Sequence, residues 1–162
     1  MDAVSPGILR NESRLSQGPL LLVNPPRDTL AHRLRQDGRS VRCATQDFGD
    51  LRWLQAADID AEFAPVPQLE GSEETVILFL PREKERLAML LHAIASGMDT
   101  RARLWLVGEN RGGIKSSPRH LRLHFQHANA LDKARHCGLF EATGPGPGKP
   151  FDLDDYVTDW SI

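Results

Sequence analysis

Residues 75–97 read TVILFLPREKERLAMLLHAIASG, and this stretch decides the fold. Val76–Leu80 is apolar without a break, so both faces of the strand it forms are expected to be covered, as in the centre of a parallel sheet. Arg82–Ser96 then reads as a helix. Leu87, Leu90, Leu91 and Ile94 recur at i, i+3, i+4 and i+7, and Gly97 stands where a terminating C′ glycine belongs.

The same alternation extends in both directions. Upstream, Pro19–Asn24 (PLLLVN) reads as a buried strand that Pro25-Pro26 must end. Asp28 is placed to cap a short helix carrying Leu30, Ala31 and Leu34, closed by Gly38. Ser40–Ala44 reads as a second strand, Asp50–Ala57 as a helix, and Ile59–Pro65 as a weaker strand. Downstream, Leu104–Gly108 is another continuous apolar strand. A glycine-rich turn leads to a helix expected around Pro118–Phe125, and Gly138–Ala142 reads as a last strand. Strands alternating with helices predict an α/β fold, with a mostly parallel sheet and helices on both faces. GPGPGKP, residues 144–150, reads as a stiff linker. Residues 1–143 are therefore expected to form one domain, and 144–162 a linker and join.

Length and composition narrow the function. The 162 residues suffice for one core without staples. The longest apolar runs, Val76–Pro81 and Leu104–Gly108, fall far short of the roughly 20 residues of a membrane span. The N-terminus is too polar for a signal peptide, so a cytoplasmic, membrane-free protein is expected. Cys43 and Cys137 rule out a disulfide framework and a four-cysteine zinc site. Charge is unevenly spread: residues 45–74 carry eight acidic and one basic side chain, residues 101–140 eight basic and two acidic. That asymmetry reads either as two solvated faces or as a basic face for an anionic partner.

Four motifs bear on chemistry. Asn24-Pro25-Pro26 follows a strand, as in the Asn-Pro-Pro-aromatic segment of amino-methylating enzymes, but Arg27 stands in the aromatic position; a proline-rich turn is the favoured reading. A Rossmann-type cofactor site needs glycines directly after the first strand, and here none occurs before Gly38. GENRGGIKSS, residues 108–117, fails the Walker spacing because Ile114 replaces the lysine; it reads equally as a tight turn or as an RNA-backbone contact. His120, His124 and His127 would share one helical face, more readily a solvated basic face than a metal site.

Four stretches, in order, carry a family resemblance. They are LWLVGENRGGIKSS (104–117), VILFLPREKE (76–85, with Arg82 in place of the usual Lys), DKARHCGL (132–139) and FDLDDY (151–156). Together they resemble the N-terminal domain of the bacterial small-subunit (16S) ribosomal RNA (guanine-N2) methyltransferase C family. The likeness covers residues 75–156 well and residues 1–74 only in layout. It implies a Rossmann-like, methyltransferase-type sheet that is degenerate, its cofactor loop absent. It also implies that a C-terminal catalytic domain, beyond this chain, holds S-adenosylmethionine and the Asn-Pro-Pro-Phe segment. No catalytic, cofactor-binding or metal residue carries over.

The leading expectation is therefore a non-catalytic half that supports a catalytic domain of the same protein and helps hold 16S rRNA or the small subunit. Arg111, Lys115, Arg119, Arg122, Lys133 and Arg135 are the expected phosphate contacts, although Arg111 and Arg135 could instead pair with Glu109 and Asp132. The competing expectations are a protein-interaction module without RNA affinity, and a self-sufficient small methyltransferase using Asn24-Pro25-Pro26.

Overall fold

The computed structural model describes residues 1–146 and 150–157. Seven strands form one sheet: β1 (Leu20–Val23), β2 (Val41–Thr45), β3 (Ala61–Phe63), β4 (Thr75–Phe79), β5 (Arg103–Glu109), β6 (Phe125–Asp132) and β7 (Cys137–Pro145). Their order is β3-β2-β1-β4-β5-β7-β6. The first five are parallel, with β1 in register against β4 (Val23 opposite Leu78) and β4 against β5 (Phe79 opposite Val107). β7 is antiparallel to both its neighbours, so β6 runs in the direction of the parallel set. The expected mostly parallel α/β sheet is present.

All five residues of β4 are buried, and their alternation feeds two cores. Val76 and Leu78 face α4 (Lys84–Gly97), which supplies Leu87, Leu90, Leu91 and Ile94. Ile77 and Phe79 face the opposite layer. That layer is built from α1 (Ser5–Arg10), α2 (Leu30–Gln36) and α3 (Phe48–Ala56), through Ile8, Leu30, Leu34 and Leu54. Helices thus cover both faces, as expected. Two shorter helices, α5 (Ser117–Leu121) and α6 (Asp154–Val157), belong to the α4 side, where Leu121, Leu153 and Tyr156 pack on that core.

Three local expectations are corrected. Gly97 is not a left-handed residue beyond α4 but its last helical residue; a Cβ there would lie 3.2 Å from Leu69 Cβ, so close packing explains the glycine. The helix expected over Pro118–Phe125 stops at Leu121, and Phe125 opens β6. The stretch beyond it is a strand with half of its residues exposed and only Phe125 buried, so it lacks the apolar run by which the other strands were legible. In addition, β7 continues to Pro145, across the expected boundary at 143, and residues 147–149 and 158–162 of the expected linker and join lie outside the described residues.

Candidate functional site: the carboxyl end of the sheet

The chain runs outward from β1 through β2 and β3, then crosses to β4 and β5 on the other side. Ligands of open α/β sheets sit at such a switch point, outside the carboxyl ends of the strands. Here a cleft of about 480 Å³ lies there, lined among others by Asp2, Asn24, Pro26, Pro81, Arg82 and Arg111.

The residues beside β1 do not suit a nucleotide-type cofactor, whose anionic group needs backbone N–H donors and a helix N-terminus. Pro25 and Pro26 have no N–H to offer. The Leu30 N–H at the start of α2 already donates to the Asp28 carboxylate (3.0 Å), so the helix end carries its own negative charge. Ser5 Oγ and the Asp2 N–H donate to the other Asp28 oxygen at 2.7 and 2.9 Å, folding the N-terminal segment against it. Asn24 adopts positive φ (59°), and its amide donates to Gln46 Oε1 at 2.8 Å. Its side chain ties the end of β1 to the end of β2. The β1–α2 junction thus leaves few free N–H donors for the carboxylate of a ligand such as S-adenosylmethionine, and the Asn24 amide is engaged with Gln46.

Nor do the thiols and histidines build a reactive centre. Burial pushes the Cys43 thiol up to about 12, so it stays protonated. Burial likewise raises Cys137, whose Sγ lies 3.5 Å from the Ala3 carbonyl oxygen. The expected helical face of three histidines does not form: His120 is on α5, His124 in the turn after it, and His127 on β6. His124 instead stacks on His92 (centroids 4.9 Å apart), and His92 Nδ1 lies 2.8 Å from the Tyr156 hydroxyl. Burial, and then His92, lower the His124 pKa. Among the described residues no cluster of three His, Cys, Asp or Glu could hold a metal.

The basic candidates are a different matter. The Asn110 N–H donates to the His136 carbonyl at 2.7 Å, which holds the loop after β5 against the β6–β7 turn. This places Arg111, Lys115, Lys133 and Arg135, all exposed, at one end of the sheet. Lys115 and Lys133 line one hollow of about 440 Å³. Arg111 lines the switch-point cleft together with Arg82, a residue not among the expected contacts. Arg111 and Glu109 do approach, at 3.4 Å, but Arg111 is 85% exposed. Asp132 is taken by Arg10, not Arg135, in a fork of 2.8 and 3.1 Å. Arg119 lies further along, on α5, where it and Lys84 surround His120; burial first and these two cations next lower the His120 pKa. Arg122 follows α5, as the chain descends to where β6 begins at the opposite end of the sheet.

The β6–β7 turn is itself unusual. The Cys137 N–H donates to the Ala134 carbonyl at 3.1 Å, and the two residues between, Arg135 and His136, have φ of 56° and 63°. Two consecutive positive φ values are the mark of a type I′ hairpin turn, which favours Asn-Gly. A side-chain-bearing residue in this region costs about 1 kcal/mol.

On the side of the sheet where β3 forms the edge, Phe48 stacks on Phe63 at 4.0 Å, and Phe48 is 62% exposed. The pair adjoins an apolar hollow of about 380 Å³ with Met89, Leu153 and Tyr156 among its walls.

Comparison with known proteins gives these features a family context. The model of the family described as "Methyltransferase small domain N-terminal" matches residues 5–160. Ribosomal RNA small subunit methyltransferase C of Acinetobacter baylyi is 35% identical over 162 residues, all of this chain and 47% of that protein. The protein of the same name from Pseudomonas putida is 37% identical over 143 residues, 88% of this chain and 41% of its own length. The chain thus spans a little under half the length of the curated relatives it matches. Among solved structures, the Thermus thermophilus 16S rRNA N2 G1207 methyltransferase, in complex with AdoMet and guanosine, superposes with a TM-score of 0.78 at 18% identity, over 93% of this chain and 41% of that one. A glycopeptide N-methyltransferase superposes at 0.69 with 10% identity, over 90% of each chain. Both likenesses are of fold.

Proposed function

The chain belongs to the methyltransferase small domain N-terminal family, and from that premise we propose that it is the non-catalytic half of an S-adenosylmethionine-dependent methyltransferase acting on guanine N2 of 16S ribosomal RNA. One observation carries the reading. The Asp28 carboxylate and two prolines occupy the place in this methyltransferase-type sheet where a cofactor's anionic group would need N–H donors. The cofactor and the reacting groups then belong to a second domain of the same protein. This half supports that domain and contacts the rRNA, in the cytoplasm.

The two tasks fall on different surfaces. Arg111, Lys115, Lys133 and Arg135 at the carboxyl end of the sheet contact phosphates, with Arg82 beside them; Arg119, and more remotely Arg122, extend the field along and beyond α5. The Phe48–Phe63 pair and the adjoining apolar hollow offer the catalytic domain a surface whose burial is favourable.

Calorimetric titration of S-adenosylmethionine into the folded chain tests the first part. The expected result is no saturable heat; one-site binding would overturn it and return Asn24 to candidacy as a catalytic residue. Binding of labelled 16S rRNA fragments at several salt concentrations tests the second. A steep fall of affinity with salt is expected. Absence of binding at low salt would leave a protein-interaction module.

A further inference from the structure

Arg135 and His136 are exposed, so no core packing calls for them, yet they occupy the two central positions of a tight hairpin turn, in a conformation that L side chains rarely adopt. An Asn-Gly pair would close the same hairpin at less conformational cost. The turn is also locked from outside itself, by the Asn110 N–H on the His136 carbonyl. Its tip therefore presents a guanidinium and an imidazole, both planar, next to a hollow that Lys115 and Lys133 line together.

We propose that the Arg135-His136 tip is a stacking finger for unpaired RNA bases, with Lys115 and Lys133 in the adjoining hollow holding neighbouring phosphates. This rests on the reading that the carboxyl end of the sheet contacts RNA. Unpaired bases expose π-faces that stack on Arg and His, whereas the major groove of duplex RNA is too deep and narrow for side chains to read. The ligand is accordingly a loop or bulge of structured RNA, not a continuous helix.

The test replaces the tip by the pair the turn prefers, Arg135→Asn with His136→Gly, in the full chain. Arg101→Gln is the control, because it removes one positive charge from a fully exposed residue at the opposite end of the sheet. The probes are a labelled RNA hairpin with an unpaired loop and the same strand annealed into a continuous duplex. The tip variant is expected to melt at higher temperature than the parent, yet to bind the loop RNA about tenfold more weakly, with the duplex affinity changed no more than in the control. Higher stability with unchanged loop binding would overturn the finger. So would an equal loss on loop and duplex, which would make the tip a simple charge. A lower melting temperature would show that the two side chains serve the fold. A parent chain that binds neither RNA would defeat the RNA reading itself, whereas parent binding that survives the swap defeats only the finger.

Discussion

Gly108 shows how one missing side chain lets a strand end close. A Cβ there would lie 2.7 Å from Leu80 Cβ and 3.4 Å from Ile114 Cδ1, so the loop after β5 could not settle over the end of β4. Gly108→Ala is expected to destabilise the chain by about 1–3 kcal/mol, read as a lower denaturation midpoint. Asp132 acts at the same scale. The hydrogen-bonded Arg10 guanidinium, followed by the smaller contribution of the Asn11 amide, holds its carboxyl below the ordinary range against the opposing effect of burial. A carboxylate depressed in the folded state stabilises above its unfolded pKa, and that stability is lost as pH falls through the folded one. Asp132→Asn should therefore lower the melting temperature at neutral pH, with the difference from the parent vanishing in acid. Gly108 was visible in the sequence only as part of a glycine-rich turn. The pairing of Asp132 was not visible at all, because its partner lies 122 positions away.

At the scale of elements, the legible ones share one property: they are buried on a regular period. β4 and α4 could be read outright because every strand position and a helical stripe are apolar. The short α2 was legible through Asp28 and its closing Gly38, whose φ is 84°, although the N-cap is Thr29 and Asp28, one residue earlier, accepts from the Leu30 N–H. Asp28→Ala should cost about 1 kcal/mol in a denaturant titration, since the Leu30 N–H loses its acceptor and the N-terminal segment loses its anchor. β6 is the counter-example. Among the described residues it pairs only with β7, and half of its residues are exposed and just one is buried, so its pattern is that of a solvated helix or loop. Its hydrogen bonds to β7, not its own residues, make it a strand. The supposed histidine face dissolved with that change, because two of its three members left the helix.

For the whole molecule, the decisive feature is that cations scattered over residues 82–135 meet at one end of the sheet. The parallel strands all end there, and so do the loops that carry Arg82, Arg111, Lys115, Lys133 and Arg135. If they hold phosphates, each contact contributes about 0.7–0.9 to the slope of log affinity against log salt. Reversing Lys115 and Lys133 together, to Glu, should flatten that slope by roughly 1.5 or more in filter binding. An unchanged slope would mean that neither touches phosphate. Arg119 and Arg122 stand further off. They belong to the same basic run, but α5 leads the backbone from the carboxyl end of the sheet toward the start of β6.

The alternating α/β order, the central place of β4, the absence of a glycine loop after β1 and the family were all readable along the chain. Each of these is local, set by apolar period, by proline and glycine, or by short stretches in order. That Asp28 gathers Leu30, Ser5 and the N-terminal segment, and that Asn24 bonds Gln46, came to light only in the folded chain. It alone gathered four cations beside a strained turn and turned residues 125–132 into a strand. Those outcomes depend on hydrogen bonds and charges between residues far apart in the chain, and no local pattern encodes which distant partner a polar group will meet.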